Sequence, residues 1–437
     1  MLKKKLRTII PCIVMLALFA GYNYYSLKTY YDKILDYSGL EKEDFEAELR
    51  NENKRFIDNE QEYKNLIDPS EAGERVENTV LAPKEISLQA KSALLLDGDN
   101  NRVLYAEHGY DRMPMASTTK IMTCIVTLEN ADLNDIVTVS SHAAKQPDVQ
   151  LGIRTDEKYY LRDLLYSLML ESHNDSAVAI AEYVGGSVEG FATMMNDKAR
   201  ALDCRDTNFV TPNGLDAEGH YTTARDLAVI ASYAIKNEQF IHITNTASYQ
   251  FKELIKGRSF SVTNKNRFLY MMEGAIGVKT GFTGKAGYCF VGAIKRPDRT
   301  LISVVLGCGW PPNKGFKWTD TKKLMNYGIE HYEKKQIYQE VTLEPVPVKN
   351  GQKKLEVLSL DGNLLLLMRK DELVRVEYEI PKELHAPIQA GTVAGYANYY
   401  INDTLYRKLP IYTTEAIAKV NYSYCLKKVL GLWSVQY

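Results

Sequence analysis

Ser117 and Lys120 are a pair of residue types that could carry out nucleophilic catalysis. If Ser117 begins a helix, the residue three positions later returns to the same face, so the ammonium group of Lys120 can approach the serine hydroxyl. An alcohol is a poor nucleophile at neutral pH, but a partly desolvated lysine beside a second cation can lose its proton and act as the base. By itself, this spacing is more typical of a serine N-cap beside a solvated lysine.

A second polar cluster, Ser172-His173-Asn174, follows an apolar run at residues 161–170 and precedes a run of small residues. A loop between two helices could present the Ser172 hydroxyl and the Asn174 amide to a cleft. There, Ser172 could relay a proton to a leaving amine, and Asn174 could hold Lys120 or a substrate carbonyl. Taken alone, the same residues are more typical of a turn or a helix cap.

A third cluster, Lys279-Thr280-Gly281, is followed by Phe282. Gly281 would permit a substrate backbone to approach a strand edge closely, as the binding of an extended peptide requires. Lys279 and Thr280 place a cation beside a hydroxyl, which suits the free carboxylate of a peptide C-terminus. The same cation would lower the pKa of Lys120.

The three clusters occur in the order S-x-x-K, S-x-N and K-T-G, at separations of 55 residues (172 minus 117) and 107 residues (279 minus 172). This set resembles that of the serine penicillin-binding proteins and serine β-lactamases. Flanking residues look like those of the low-molecular-mass D-alanyl-D-alanine carboxypeptidases of the peptidase S11 family, at 116–123, 163–165, 174–177, 213–215, 220–224 and 277–281. The resemblance covers roughly residues 84–330, and the region beyond is similar to the C-terminal part of the same enzymes.

The resemblance implies an acyl-enzyme cycle on peptidoglycan stem pentapeptides. Ser117 would attack the carbonyl of the penultimate D-alanine with Lys120 as the base, and Ser172 and Asn174 would assist. The last D-alanine would leave, and water would release the shortened peptide. β-Lactam antibiotics would acylate the same serine and be released slowly. No cofactor or metal is expected.

The resemblance also assigns substrate binding to Lys279, Thr280, Gly281 and Phe282. The backbone N–H groups of Ser117 and Phe282 would form the oxyanion hole. Two positions depart from the family pattern, since position 173 is often glycine or alanine and position 282 often carries a polar ring. His173 is therefore expected to place a bulky, titratable group near the cleft, and Phe282 to alter the fit of the substrate.

Other functions on the same residues stay open. A D,D-endopeptidase or transpeptidase would differ only in its leaving group or acceptor. A β-lactamase would need a positioned carboxylate, and no E-x-x-L-N sequence follows Ser172. A non-catalytic wall-binding module would not need the complete set of side chains. Neither H-E-x-x-H nor G-x-S-x-G occurs, so the sequence favours neither a zinc hydrolase nor a nucleophile elbow.

The elements needed to position these clusters can be predicted from apolar patterning. Two strand-like runs around a turn cluster predict a β-hairpin at 92–108, and further strands are predicted at 288–295 and 300–306. Helices are predicted between them, at 118–129, 161–170, 176–184 and 222–235. This order predicts an α+β catalytic domain over 84–335, with the penicillin-binding/β-lactamase-like arrangement of helices packed on an antiparallel sheet. A small all-β domain is predicted over 336–416, with strands at 354–358 and 373–378 and a last hairpin around 402–411.

The two ends of the chain point to a membrane. Basic residues followed by an uncharged apolar stretch predict a signal peptide or an N-terminal anchor over 1–27, and a charged, partly helical spacer is predicted over 28–83. Residues 417–437 have the pattern of an amphipathic helix that lies on a membrane surface, with a helix packed on its own domain as the alternative. An exported enzyme on the extracytoplasmic face of a bacterial membrane is expected.

The overall charge and the spacing of the cysteines argue against nucleic-acid binding, a metal site and a disulfide framework. The formal net charge of −1 offers no basic field for nucleic acid, so no nucleic-acid partner is expected. The six cysteines have no metal-ligand or disulfide-framework spacing. Cys289 and Cys308 could meet on a hairpin, but buried thiols are the favoured interpretation.

Overall fold

The computed structural model describes residues 86–147 and 149–433. The predicted N-terminal segment (1–27), the predicted spacer (28–83) and the last four residues of the predicted tail lie outside the described residues. The elements of the first region are, in chain order, β1 (Ser92–Asp97), β2 (Val103–Glu107), a 3-10 turn (Ala116–Thr119), α1 (Lys120–Asn130), β3 (Ile136–Thr138), α2 (Ser141–Ala144), β4 (Lys158–Tyr160), α3 (Leu161–Leu170), α4 (Asn174–Gly185), α5 (Val188–Ala201), α6 (Ala224–Ala234), α7 (Glu238–Asn245), β5 (Ser248–Lys252), β6 (Ser259–Thr263), a second 3-10 turn (Arg267–Tyr270), β7 (Ala275–Thr283), β8 (Gly287–Arg296), β9 (Arg299–Leu306) and α8 (Phe316–His331).

Five strands form an antiparallel sheet in the order β2-β1-β9-β8-β7. The predicted hairpin at 92–108 is confirmed as β1 and β2, and the predicted strands at 288–295 and 300–306 are confirmed as β8 and β9. Within the described residues β7 pairs with β8 alone. No described strand lies along its other edge, where an extended peptide could bind.

Helices cover both faces of the sheet. Successive side chains of a strand point to opposite sides, so a single strand contributes to the core on each face. On β1, Leu94 and Leu96 join the larger core, which also contains residues of α1, α3, α4 and α6. Ala93 and Leu95 join the second core, with Leu324 of α8. Burial of both faces explains why β1 is apolar along nearly its whole length, and the predicted α+β architecture is confirmed.

The helices agree closely with their sequence patterns. The predicted helix at 161–170 has the same bounds in α3. The predicted helix at 118–129 starts as the 3-10 turn and continues as α1. The predicted helices at 176–184 and 222–235 are α4 and α6, and each agrees to within two residues at either end.

The chain after α8 forms short strands, as predicted. They are β10 (Glu333–Gln336), β11 (Val346–Lys349), β12 (Leu355–Glu356), β13 (Leu358–Ser359), β14 (Leu365–Met368), β15 (Val374–Glu379), β16 (Leu384–His385), β17 (Val393–Ile401) and β18 (Thr404–Thr413). Asn402 and Asp403 both have left-handed φ angles, 48° and 64°, which suits a two-residue turn and confirms the last hairpin. The predicted strand at 354–358 is instead split between two sheets, because the carbonyl of Val357 accepts hydrogen bonds from Thr414.

The β-rich region is joined to the β1–β2 hairpin by a buried ion pair. Arg102 donates to the Glu372 carboxylate at 2.5 Å, and both side chains are at most 5% exposed. The Arg102 guanidinium also donates to the carbonyl of Leu367. Loss of either charged partner would leave the other buried and uncompensated, which typically costs about 3–5 kcal/mol.

The last described element is a helix, α9 (Tyr422–Trp433), within the predicted amphipathic tail. Tyr422 and Leu426 are 82% and 44% exposed, whereas the Tyr424 hydroxyl donates to the carbonyl of Gln352. None of the described helices combines the length and apolar character needed to cross a bilayer. Among the described cysteines, four are buried free thiols and Cys425 is exposed.

Candidate active site

Ser117 lies in the 3-10 turn that precedes α1, and Lys120 is the first residue of that helix. A 3-10 turn has three residues per turn, so side chains at i and i+3 align along it. The Lys120 Nζ atom is 3.0 Å from the Ser117 Oγ atom. The local geometry therefore produces the serine–lysine pair that the spacing predicts.

Lys120 is fully buried, and its amine has two further contacts, both with oxygen atoms that can only accept hydrogen bonds. Nζ lies 2.9 Å from Asn174 Oδ1 and 2.6 Å from the carbonyl oxygen of Asn213. A neutral amine has two N–H groups, which these oxygens can accept, and one lone pair, which remains for the Ser117 hydroxyl proton. Burial lowers the pKa of Lys120 well below its ordinary value, and the charge of Lys279 lowers it further. These contacts and the lowered pKa are the features that a base at this position would need.

The second cluster lies at the start of α4. Asn174 Nδ2 donates to the carbonyl of Pro147 at 3.2 Å, which turns Oδ1 of the same amide towards Lys120. Ser172 has a left-handed φ of 72°, an uncommon conformation for a residue other than glycine. Its Oγ atom is buried without a hydrogen-bond partner among the described residues. An unpartnered buried hydroxyl is available to a ligand or a water molecule.

The third cluster lies on the edge strand β7, which passes beside the serine turn. A Cβ atom added to Gly281 would lie 3.0 Å from the Ser117 nitrogen and 3.1 Å from the Thr118 nitrogen. Only glycine allows so close an approach without displacement. The Ser117 N–H thus lies next to the residue that precedes Phe282, in keeping with the expected oxyanion hole.

Lys279 and Phe282 have contrasting environments on the same strand. Lys279 is buried, and its Nζ atom donates to the carbonyl of Thr280 at 3.2 Å. Burial and then the charge of Lys317 lower the pKa of Lys279 to about 7. A bound carboxylate would favour its charged form again. The Phe282 side chain is 43% exposed, and its ring centroid is 4.6 Å from that of Tyr288.

His173, which is expected near the cleft, is enclosed by the structure. The residue is only 5% exposed, and its Nδ1 atom is 2.8 Å from the Oγ atom of Ser167 in α3. Its Nε2 atom is 3.4 Å from the Glu171 carboxylate, and burial lowers the pKa of the imidazole. The ring therefore packs at the junction of α3 and α4, where the charges of Lys120 and Lys279 also act to lower its pKa.

Sequence reasoning assigned no role to two groups that complete the site. The Asn213 carbonyl contacts Lys120, and the signals for it were the turn-forming pair of Asn213 and Gly214 and the family resemblance at 213–215. Lys317 of α8 lies over the Tyr288 ring, with Nζ 4.6 Å from its centroid, and acts electrostatically on Lys279. No sequence motif marks Lys317, because α8 reaches the site only through tertiary packing.

Gly214 is the position at which a small substitution should most disturb the serine turn. Its φ is +81°, and an added Cβ atom would lie 2.1 Å from the carbonyl oxygen of Ala116. We expect Gly214→Ala to lower penicillin acylation by at least about 100-fold, the effect of displacing a reacting group by about 1 Å. Gly219→Ala is the matched control, since Gly219 has a φ of +77° but its added Cβ would be 3.6 Å from the nearest atom. Acylation kinetics and thermal unfolding of both variants test this, and equal effects would contradict the steric explanation.

Comparisons with known proteins agree with this geometry. The family model described as D-alanyl-D-alanine carboxypeptidase, Peptidase_S11, matches residues 77–309, and the model of the penicillin-binding protein 5 C-terminal domain matches residues 332–419. The D-alanyl-D-alanine carboxypeptidase DacF of Bacillus subtilis is 32% identical over 359 residues, which cover 80% of this chain and 91% of that protein.

Solved structures show the same similarity. Penicillin-binding protein 5 from Haemophilus influenzae matches 77% of this chain and 100% of its own, with 25% identity and a TM-score of 0.67. The Streptomyces K15 DD-transpeptidase matches 57% of this chain and 100% of its own, with 32% identity and a TM-score of 0.54. The predicted penicillin-binding-like fold followed by a β-rich domain is confirmed. The chain therefore belongs to the D-alanyl-D-alanine carboxypeptidase family, peptidase S11.

Proposed function

We propose that this chain is a serine D,D-carboxypeptidase that removes the terminal D-alanine from peptidoglycan stem pentapeptides. The observation that carries the proposal is the set of contacts of Lys120 Nζ. Two oxygens accept from this buried amine, and its third contact, at 3.0 Å, is the Ser117 hydroxyl. Such an arrangement supports proton transfer from Ser117 to Lys120 as the serine attacks.

The acylation step follows from this geometry. Ser117 Oγ forms a bond to the carbonyl carbon of the penultimate D-alanine, and its proton moves to Lys120 Nζ. The backbone N–H groups of Ser117 and Phe282 stabilise the negative oxygen of the tetrahedral intermediate. When the amide bond breaks, the leaving nitrogen takes a proton from Lys120, directly or through Ser172, and free D-alanine departs.

Deacylation repeats these steps with water in place of the amine. Lys120 takes a proton from the water molecule as its oxygen attacks the acyl carbon, and Ser117 Oγ leaves with that proton. A β-lactam enters the same cycle by ring opening on Ser117. Because the opened ring stays attached to the acyl group, it does not diffuse away as D-alanine does. The antibiotic therefore acts as an inhibitor.

Substrate recognition is assigned to the edge strand β7. An extended stem peptide can pair with its free edge beside Gly281. The terminal carboxylate meets the Lys279 ammonium and the Thr280 hydroxyl, which form charge-assisted hydrogen bonds. The exposed Phe282 ring offers an apolar contact next to the leaving residue. The stem peptides that have lost their terminal D-alanine would then be available to other wall-building enzymes.

A transpeptidase or endopeptidase is the second candidate. A transpeptidase is favoured by the similarity to the Streptomyces K15 DD-transpeptidase, because transpeptidation shares the acyl-enzyme and differs in the molecule that accepts the acyl group. An endopeptidase would also form the acyl-enzyme and would differ in its leaving group. Incubation of the protein with a synthetic stem pentapeptide, with and without an amino-acid acceptor, distinguishes hydrolysis from transfer. We expect free D-alanine and a tetrapeptide as products, whereas a tetrapeptide joined to the acceptor amino acid would favour transfer.

We further propose that the enzyme is exported and works on the extracytoplasmic face of the membrane, with α9 lying on the membrane surface. The basic and then apolar N-terminal sequence and the exposed Tyr422 and Leu426 of α9 support this location. Removal of residues 417–437 should shift the protein from the membrane to the soluble fraction, unless the N-terminal segment also anchors it. Full membrane retention of a variant that also lacks residues 1–27 would contradict the role of the tail.

A further inference from the structure

Strand β15 forms one edge of the four-stranded sheet β13-β18-β17-β15 in the β-rich region. Within the described residues it pairs with β17 alone, from Val374 to Glu379, and no described strand lies along its other edge. The strand contains neither proline nor glycine, and its pairing with β17 has no bulge. Proline and bulges are devices that stop an edge from pairing further, so an edge without them can accept another strand.

The apolar side of β15 is only half covered. Val374 and Tyr378 are 38% and 42% exposed, although the β17 residues that pair with them are buried. A cavity of about 350 Å³ lies beside these two side chains, and its lining includes Val376 of the same strand and the buried ring of Tyr399. A strand laid along the open edge could place its own apolar side chains against this surface and extend the core.

The opposite side of β15 carries charges of both signs. Arg375 and Glu377 share this side, are 46% and 55% exposed, and form an ion pair along the strand. The Arg375 guanidinium also lies 4.2 Å from the ring centroid of Tyr400 and 3.7 Å from the Asp403 carboxylate. At its open edge β15 therefore presents an apolar side and a side on which a positive and a negative charge follow each other.

A second copy of β15 is complementary to this edge in an antiparallel register centred on Val376. When Val376 lies opposite Val376 of the second copy, Arg375 of each copy lies opposite Glu377 of the other. The two-fold axis thus produces two pairs of opposite charge on one side of the joined strands. On the other side, Val374 of each copy lies opposite Tyr378 of the other. Opposite charges and pairs of an aromatic with a β-branched residue both stabilise antiparallel strands.

The neighbouring registers lack this complementarity. A slip by one residue would set the apolar side of one copy against the charged side of the other. A slip by two residues would move the two-fold axis to Arg375 or to Glu377 and would place two like charges directly opposite each other, which is destabilising. Among these registers, the one centred on Val376 alone matches both sides of the strand.

We propose that β15 pairs with β15 of a second copy of this chain, so that the four-stranded sheets of two copies join into one continuous antiparallel sheet across a two-fold axis. A contact between two six-residue strands is expected to bury less than the roughly 1,200 Å² at the lower end of standard interfaces, so the dimer is weak and forms at high protein concentration. No residue of the Ser117 site takes part, and the pairing does not depend on the reaction at that site.

The test is sedimentation equilibrium of the full chain in a mild detergent, with the wild type and the charge reversals Arg375→Glu and Glu377→Arg. Each variant alone would oppose like charges twice across the axis, so we expect its dimer to be weaker than the wild-type dimer by about ten-fold or more. An equimolar mixture of the two variants should dimerise to within about three-fold of the wild type, because their charges are then complementary across the axis. The ion pair within each chain stays broken in the mixture, so recovery can come only from contact between copies.

Arg407→Glu is the matched control. It makes the same charge change at an exposed position of β18, an inner strand of the same sheet, and should leave dimerisation unchanged. Thermal unfolding shows that each variant is folded, and hydrogen exchange at residues 374–379 should slow as the wild type dimerises. A wild type that stays monomeric, a dimer that the reversals do not weaken, or a mixture no better than its components would overturn the proposal. Protection of these residues by a different protein in place of a second copy would overturn it as well.

Discussion

Replacement of Ser117 with alanine is expected to lower the release of D-alanine from a stem pentapeptide by about 10⁵-fold or more, because no other group can form the acyl bond. Ser117 Oγ lies 3.0 Å from the Lys120 amine, and its backbone N–H lies beside the edge strand β7. Loss of the hydroxyl removes the proposed nucleophile and leaves in place the backbone N–H groups that are proposed to form the oxyanion hole. The measurement is D-alanine release together with mass analysis of the penicillin-treated protein.

A control separates the loss of chemistry from a loss of fold. Ser141→Ala changes an exposed serine of α2 and should retain D-alanine release and penicillin labelling. Adding Lys120→Met to Ser117→Ala should cause little further loss, since residues that act as a unit are not additive. A Ser117→Ala protein that still releases D-alanine would defeat the assignment of Ser117.

Lys120→Met is expected to lower the acylation rate by about 10³- to 10⁴-fold, at the upper end of the contribution of a general base. The side chain is fully buried and its volume is close to that of methionine, so the substitution removes the amine with little change in packing. Lys120→Arg is the informative partner, because arginine keeps the charge and cannot lose its proton at neutral pH.

The pair of variants distinguishes a base from a fixed positive charge. If Lys120 accepts the Ser117 proton, both variants should be inactive to a similar degree, with thermal unfolding confirming that each is folded. Retention of most of the acylation rate by Lys120→Arg would show that charge alone is sufficient. Lys145→Met, at an exposed position of the same domain, should keep the wild-type rate.

Burial of Lys279 lowers the stability of the folded protein at neutral pH. Burial lowers the pKa of Lys279 to about 7 from an ordinary value of 10.5. Between about pH 7 and about pH 10.5, the Lys279 amine binds a proton in the unfolded chain but not in the folded chain. The contribution of this group to stability is therefore fully present above about pH 10.5 and is lost as the pH falls towards about 7. Binding of a substrate carboxylate would offset this loss.

Much of the site could be predicted from the sequence because its signals are local or ordered along the chain. The spacing of Ser117 and Lys120 placed both on one face of a turn, and α3 was predicted with its observed bounds from apolar periodicity alone. Gly281 is predicted to admit a substrate backbone, and the structure adds that the absent side chain also leaves room for the Ser117 turn. These features depend on neighbouring residues or on the order of three motifs, and both can be read directly from the amino-acid sequence.

Only the tertiary structure shows the contacts between residues that lie far apart in the chain. The Asn213 carbonyl meets Lys120 across 93 positions, and the charge of Lys317 reaches Lys279 because α8 packs on the sheet. His173 is predicted near the cleft, but only the packing shows that its ring is buried and held by Ser167 in the neighbouring helix. Sequence spacing states which side chains are present, whereas the direction in which each one points, and its burial, depend on how the layers pack. For this protein, the sequence by itself determined which serine and lysine are spaced to act together, and the packing of the layers determined the burial that lowers the pKa of Lys120.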